Sequence, residues 1–283
     1  MVDESYYNGT KLGFDLAQLA YNDSEINRKK ANEMVDRFLH TGFRYFDTGS
    51  IYPASEIMIR KTLVERHPRN RYTLAARLFA TLLPTEKSAK MELDASLEKI
   101  GVKYFDYYIL HSLAKRNYNK NADAHLWNFL SEEKTKGRIR HYGFFHRDSP
   151  ERLDQILTEH PDADFVQLQI NYADWEDIHV RAKDNYLVAR KHGKAVVASE
   201  PLKGGTLIHP PYKVQNIFDE VDWNASYASW AFRFVASLEG VHIVLSKISS
   251  LRQMEELLSY IEKYRPLNAK ERHAFQRIQE LKK

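Results

Sequence analysis

Cysteine is absent from this 283-residue chain. That excludes disulfides, thiolate zinc sites and cysteine-held iron–sulfur clusters. No run of about 18 apolar residues occurs, so no membrane-spanning helix and no membrane partner are expected. The opening segment MVDESYYNGTKLGF lacks the basic stretch and apolar core of a secretory leader, and a cytoplasmic protein is the expectation. A surplus of one charge is also missing. Lys and Arg number 42 against 38 Asp and Glu, a formal +4, too little and too scattered for a nucleic-acid-binding face. Paired histidines on an early strand, which a metal-dependent hydrolase would want, do not occur. The 12 histidines are dispersed, and His40, His67, His160 and His192 fall near helix ends, where they suit the helix dipole.

Two further absences concern organisation. No low-complexity stretch or composition break marks a linker, so residues 1–283 read as one domain. No GxGxxG turn follows the first apolar run, where Gln18-Leu19-Ala20-Tyr21-Asn22 stands instead. That argues against an open doubly wound sheet.

What is present is alternation. Hydrophobic residues make up 43% of the chain, and short β-rich runs are followed by amphipathic runs of about 12 to 16 residues, the pattern of βα units. The predicted strands are Lys11–Ala17, Phe43–Thr48, Tyr72–Leu78, Tyr104–His111, Ile139–Phe145, Phe165–Asn171, Ala195–Pro201 and His242–Lys247. The predicted helices are Glu25–His40, Ser55–Arg66, Glu86–Ile100, Ala124–Lys136, Pro150–His160, His179–His192, Ala225–Ser237 and Leu251–Glu262, with Ala269–Lys282 outside the count. Gly42, Gly101, Gly137 and Gly193 sit between a helical run and a strand, where a left-handed cap is wanted. Ser149-Pro150-Glu151 has the signature of a helix start. The prediction is an α/β fold, a (β/α)8 TIM barrel with an extra C-terminal helix. Two long loops, Ala114–Asp123 and Ile208–Asn224, would supply specificity.

In such a barrel, chemistry sits at the C-terminal ends of the strands. Asp47 ends the second, with Tyr52 in the loop beyond; Arg77 lies at the end of the third and His111 at the end of the fourth. A carboxylate, a phenol, a cation and an imidazole thereby converge on one rim. A tyrosine whose pKa is lowered by a nearby cation can protonate a developing alkoxide, while an Asp holds that cation and a His orients the oxygen. Each residue also has a structural use. Asp47-Thr48 suits a helix cap, Tyr52 is one of 17 tyrosines, Arg77 suits an ion pair, and His111 suits a hydrogen-bonded strand end.

From about Leu12 to Leu258 the chain resembles the aldo-keto reductases, through RYFDTGSIYPASE, YTLAARL, YFDYYILHS, KGRIRHYGF, FVQLQINY, SEPLKGGTL and HIVLSKISSLRQMEEL. It is particularly similar to a bacterial branch with EPLxGGxL, without that branch's iron–sulfur extension. The resemblance implies reduction of a small-molecule carbonyl substrate with NADP(H). It implies a tetrad of Asp, Tyr, Lys and His, matched here by Asp47, Tyr52 and His111, with Arg77 in place of the lysine. Arg77 keeps the charge and suits a bidentate pair with Asp47.

The resemblance also implies a cofactor set. Pro201, Leu202, Lys203, Gly204, Gly205 and Leu207 match a loop that folds over the pyrophosphate, with Lys203 suited to neutralise phosphate. Ser246, Lys247, Ser249, Arg252, Gln253 and Glu256 match the region that takes the adenosine end; Lys247 and Arg252 equally suit surface charges. Gln167 matches the residue that contacts the nicotinamide amide. His146 stands in a usual Ser-Asn pair, after Phe145, and Ser199 where an aromatic stacker is usual. Asp15 replaces a glycine of an early GFG motif and would bring a carboxylate near the ring. Two other readings follow from these departures: an NADP(H)-binding sensor with little turnover, and a repurposed lyase or isomerase.

Overall fold

The computed structural model describes residues 11–16, 25–51, 53–80, 85–111, 120–261 and 266–281. Eight parallel strands close into a barrel in sequence order, β1 pairing with β8. They are β1 (Leu12–Asp15), β2 (Tyr45–Asp47), β3 (Thr73–Phe79), β4 (Phe105–His111), β5 (Ile139–His146), β6 (Phe165–Gln169), β7 (Ala195–Ser199) and β8 (Val241–Lys247). Around them run α1 (Glu25–His40), α2 (Pro53–Ile59), α3 (Glu86–Ile100), α4 (Lys120–Thr135), α5 (Pro150–Glu159), α6 (Ala182–Lys191), α7 (Tyr212–Asp222), α8 (Tyr227–Ala236), α9 (Leu251–Ile261) and α10 (Ala269–Glu280). The predicted TIM barrel with a C-terminal helix is the observed fold.

Local signals explain the boundaries. Ser149 caps α5 by accepting from the Arg152 N–H, and Pro150 opens the helix. Gly101 closes α3 at φ +83°, with its N–H bonded to the Leu97 carbonyl. Two predicted stretches differ. Ser55–Arg66 is not one α-helix: after α2 the chain widens into a π-helical turn over Arg60–Val64. There the Thr62 hydroxyl donates to the Met58 carbonyl at 2.7 Å, and Glu65 N–H reaches back to Arg60 O at 2.9 Å. A side-chain donor on an i−4 carbonyl competes with the helical ladder and favours such a bulge. Likewise Ile208–Asn224 is no loop but holds α7. Of the Ala114–Asp123 loop, residues 114–119 lie outside the described residues, and α4 has begun by Lys120.

The core has two layers. Outside the sheet, helices and strands bury one continuous apolar layer that includes Phe14, Phe38, Phe46, Leu93, Trp127, Phe144 and Trp230. Inside the barrel, Tyr45, Ala75, Tyr107, Ile109, Phe165, Val197, Ile243 and Leu245 pack together. Side chains alternate faces along a strand, so inward positions recur every second residue. That parity carries the inward rows of the apolar interior upward into Asp15, Asp47, Arg77, His111, Phe145, Gln167, Ser199 and Lys247. The site is therefore the top of the barrel's own packing.

Candidate functional site at the C-terminal rim

Asp15 and Asp47 end neighbouring strands and are partners in the β1–β2 register; both are fully buried. Between them lies the Arg77 guanidinium, its Nη2 2.9 Å from Asp15 Oδ2 and 2.6 Å from Asp47 Oδ1. The bidentate Arg77–Asp47 pair expected from sequence is thus replaced by one nitrogen bridging two carboxylates. The contact to Asp15 is an aligned hydrogen bond, whereas the Asp47 oxygens have none. Asp47 does not cap a helix; its neighbour Thr48 instead shares a 2.7 Å hydrogen bond with Ser55.

The charges follow from this burial. Desolvation holds Asp47 above the ordinary carboxylate range, at about 7; Arg77 pulls it down and Asp15 pushes it up. Burial works against the Arg77 charge, but Asp47 and Asp15 outweigh it and keep the guanidinium ionised. His111 is pushed down to about 4, first by burial and then by Arg77, so its imidazole is neutral near pH 7. Its ring stacks on Phe145, centroids 4.6 Å apart and planes within 3°.

These groups floor a cavity of about 520 Å³. Asp15, Arg77, His111 and Phe145 line its base, and Gln167, Gln169 and Ser199 line its side. The Gln167 carbonyl oxygen is buried with no hydrogen bond. The cavity continues past Glu200, Pro201, Leu202, Gly204 and Gly205 to Ser246, Lys247, Ser249, Gln253 and Glu256. The loop after β7 turns through left-handed conformations at Glu200, Lys203, Gly204 and Gly205, with φ of +56°, +48°, +65° and +94°. A Cβ at Gly204 would meet nothing within 4 Å, so that glycine serves backbone conformation rather than packing.

Several expected residues are elsewhere. His146 is on the opposite strand parity and bonds the Ser149 carbonyl at 3.1 Å, so it does not face the cavity. Lys203, expected to neutralise phosphate, is turned to the buried Asp174 at 2.5 Å. Leu207 and Arg252 also lie outside the lining, the first buried and the second exposed. Lys247 lines the cavity but is paired with Glu200 at 2.6 Å. Tyr52 falls outside the described residues. Sequence reading missed Gln169, Arg147 and Glu200 as lining groups. Gln169 was detectable, being two residues past Gln167 on the same strand face. Among the described residues, no cluster of potential metal ligands occurs and no helix is long and apolar enough to cross a membrane.

A closed parallel barrel whose strand ends gather ionisable groups beneath a glycine loop is a TIM-barrel scaffold with a site in the place that fold uses for chemistry. The chain belongs to the aldo/keto reductase family, whose model matches residues 11–280. An aldo-keto reductase of Mycolicibacterium vanbaalenii is 26% identical over 240 residues, 84% of this chain and 80% of that protein. An uncharacterized oxidoreductase of Schizosaccharomyces pombe is 26% identical over 151 residues, 53% of this chain, and the match spans about half of the yeast protein (52%). Among solved structures, an aldo-keto reductase from Klebsiella pneumoniae in complex with NADPH superposes with a TM-score of 0.76 at 15% identity, covering 94% of this chain and 90% of that one. One from Brucella melitensis gives 0.75 at 21% identity, covering 94% of each chain.

Proposed function

We propose that this chain is an NADP(H)-dependent oxidoreductase that reduces an aldehyde or ketone to an alcohol, with Tyr52 as proton donor. One observation carries the reading: a buried cation and a neutral imidazole floor the same cavity whose far wall is a glycine turn beside Lys247. The residues present fit the dinucleotide. The unbonded Gln167 oxygen is an acceptor suited to a carboxamide N–H. The left-handed Gly204–Gly205 turn leaves room for a pyrophosphate to approach backbone. Ser246, Ser249 and Gln253 offer hydroxyl and amide groups at the other end.

When bound, reduced nicotinamide supplies the two electrons and the hydrogen that reach the carbonyl carbon. The chain's task is to place the carbonyl and deliver the proton. His111, neutral above about pH 4, is suited to a hydrogen bond with the substrate oxygen rather than to service as an imidazolium acid. Arg77, always charged, stabilises negative charge that develops there. The proton donor proposed for this rim is the Tyr52 phenol.

The test is NADPH consumption with a panel of aldehydes and ketones. Tyr52→Phe should lower turnover by about a hundredfold or more, the scale of a lost general acid. An unchanged rate would remove Tyr52 from that role. A second reading, a dinucleotide binder with little turnover, is favoured by one feature: Arg77 is shared between two carboxylates, so its field at the substrate is attenuated. Arg77→Lys separates the two. Faster turnover is expected of a reductase slowed by its guanidinium, and no gain favours the binder.

A further inference from the structure

Glu200 ties one wall of the cavity to the other. It follows β7 with its backbone at φ +56°, a region that side chains other than glycine seldom adopt. Its Oε2 accepts the Gly204 N–H at 3.0 Å, and its Oε1 lies 2.6 Å from Lys247 Nζ. Gly204 belongs to the loop beyond β7, whereas Lys247 ends β8. One carboxylate thus engages a glycine-turn N–H and an ammonium, the two kinds of group best suited to hold a phosphate oxygen.

Two of the other cations near this wall are already engaged. Lys203 is committed to Asp174 and Arg77 to Asp15 and Asp47. Among the described residues, three carboxylates line the cavity, Asp15, Glu200 and Glu256, against three cations, Arg77, Arg147 and Lys247. These described groups leave no surplus of positive charge for a polyanion. The Glu200 and Lys247 side chains are 29% and 46% exposed, so the pair can part without stranding a buried charge.

We propose that Glu200 sets the affinity and selectivity for dinucleotide phosphates: its carboxylate occupies Lys247 and the Gly204 N–H as an internal anion and swings away when phosphate enters. The proposal rests on the NADP(H) reading above. A ligand with more phosphate charge loses more when Lys247 is neutralised, so Glu200 weakens binding of polyanions most. Glu200→Gln keeps the shape and an acceptor for Gly204 while releasing the ammonium.

The experiment titrates NADPH, and separately inorganic pyrophosphate, into the full chain and into Glu200→Gln, Lys247→Met and the double variant. Tryptophan fluorescence and heat report binding, and far-ultraviolet circular dichroism reports folding. Glu200→Gln should bind both probes about tenfold tighter, with a steeper loss of affinity as salt rises. The gain should vanish in the Lys247→Met background, because the competition is for that ammonium. Unchanged or weaker binding by a folded Glu200→Gln would overturn the proposal and leave Glu200 as a strut that positions Lys247. If neither protein binds NADPH, the functional reading falls, and pyrophosphate then decides separately: tighter binding by Glu200→Gln supports the competition, and equal binding overturns it.

Discussion

At the mouth of the barrel one guanidinium answers two buried carboxylates, and this arrangement governs the titration of its neighbours. Asp47 carries its proton up to about pH 7, mainly because burial penalises its charge. His111 refuses a proton down to about pH 4, from burial and then from Arg77. The two act on stability with opposite sign. Between about pH 4 and 6.5 the unfolded chain protonates His111 while the folded one does not, so this contribution is complete above pH 6.5 and is lost as pH falls towards 4. Between about pH 4 and 7 the folded chain keeps the Asp47 proton that the unfolded chain releases. That contribution is therefore lost as pH rises through the same window. The prediction is a shallow stability profile from pH 5 to about 7, which steepens once His111→Asn removes one of the opposing terms, with stability then falling as pH rises. Denaturant unfolding across that range, with an NMR titration of the His111 ring, checks it. A ring midpoint near 6.5 would contradict the placement of the charge. The bridging of Arg77 by Asp15 was only half legible in the sequence. The motif comparison brought Asp15 to the ring, and strand parity brings it to Arg77, but the distance depends on how β1 and β3 flank β2 in the closed barrel. The Glu200–Lys247 contact was not legible, because it depends on a left-handed residue just past a strand end.

Among the elements, the strands were legible because parallel strands covered on both faces are nearly continuous in apolar residues. The helix that escaped, α7, carries Val214, Ile217, Phe218 and Val221, a spacing of three, four and seven residues that is itself a helical signal. Pro210 and Pro211 just ahead of it disguised the segment as loop, although Pro211 is its N-cap. The π-turn after α2 was hidden for a different reason. Thr62 is compatible with a helix by propensity, and only its hydroxyl bond to Met58 reveals the cost. Between β5 and β6 the barrel has a close approach that gives a sharp test. A Cβ built on Gly143 would lie 2.2 Å from the Phe165 carbonyl oxygen and 2.8 Å from its ring. Backbone of the adjacent strand cannot yield as a flexible side chain can. Gly143→Ala should therefore destabilise the fold by about 3 kcal/mol or more, at the upper end of overpacking effects. Urea unfolding measures it. A loss below about 0.5 kcal/mol, the scale of an indifferent surface change, would mean the two strands are further apart than described.

Across the whole molecule, the segment after β8 and α9 packs behind the helices that follow the glycine turn. α10 lies outside the eight-fold repeat, yet it is anchored as part of the core. Asn268 and Glu271 form a capping box, and the nearly buried Glu271 also receives Arg233 of α8 at 2.5 Å. Phe275 sits among Tyr172, Phe218, Trp230 and Phe234, with ring centroids 4.9 to 5.9 Å away. Gln279 donates to the Tyr172 carbonyl at 2.6 Å. This one helix thereby joins the loop after β6 to α7 and α8, the pair that follows the glycine turn, and Ala228 of α8 lines the cavity. No α10 residue lines that cavity itself. Stability and ligand binding should therefore separate at this position. Phe275→Ala should cost about 3 to 5 kcal/mol, which lowers the unfolding midpoint by roughly 5 to 8 °C for a chain of this size. NADPH affinity measured well below that midpoint should stay within about twofold, because the wall residues keep their own packing. A large loss of affinity with little loss of stability would reverse the assignment and make α10 a conformational partner of the site.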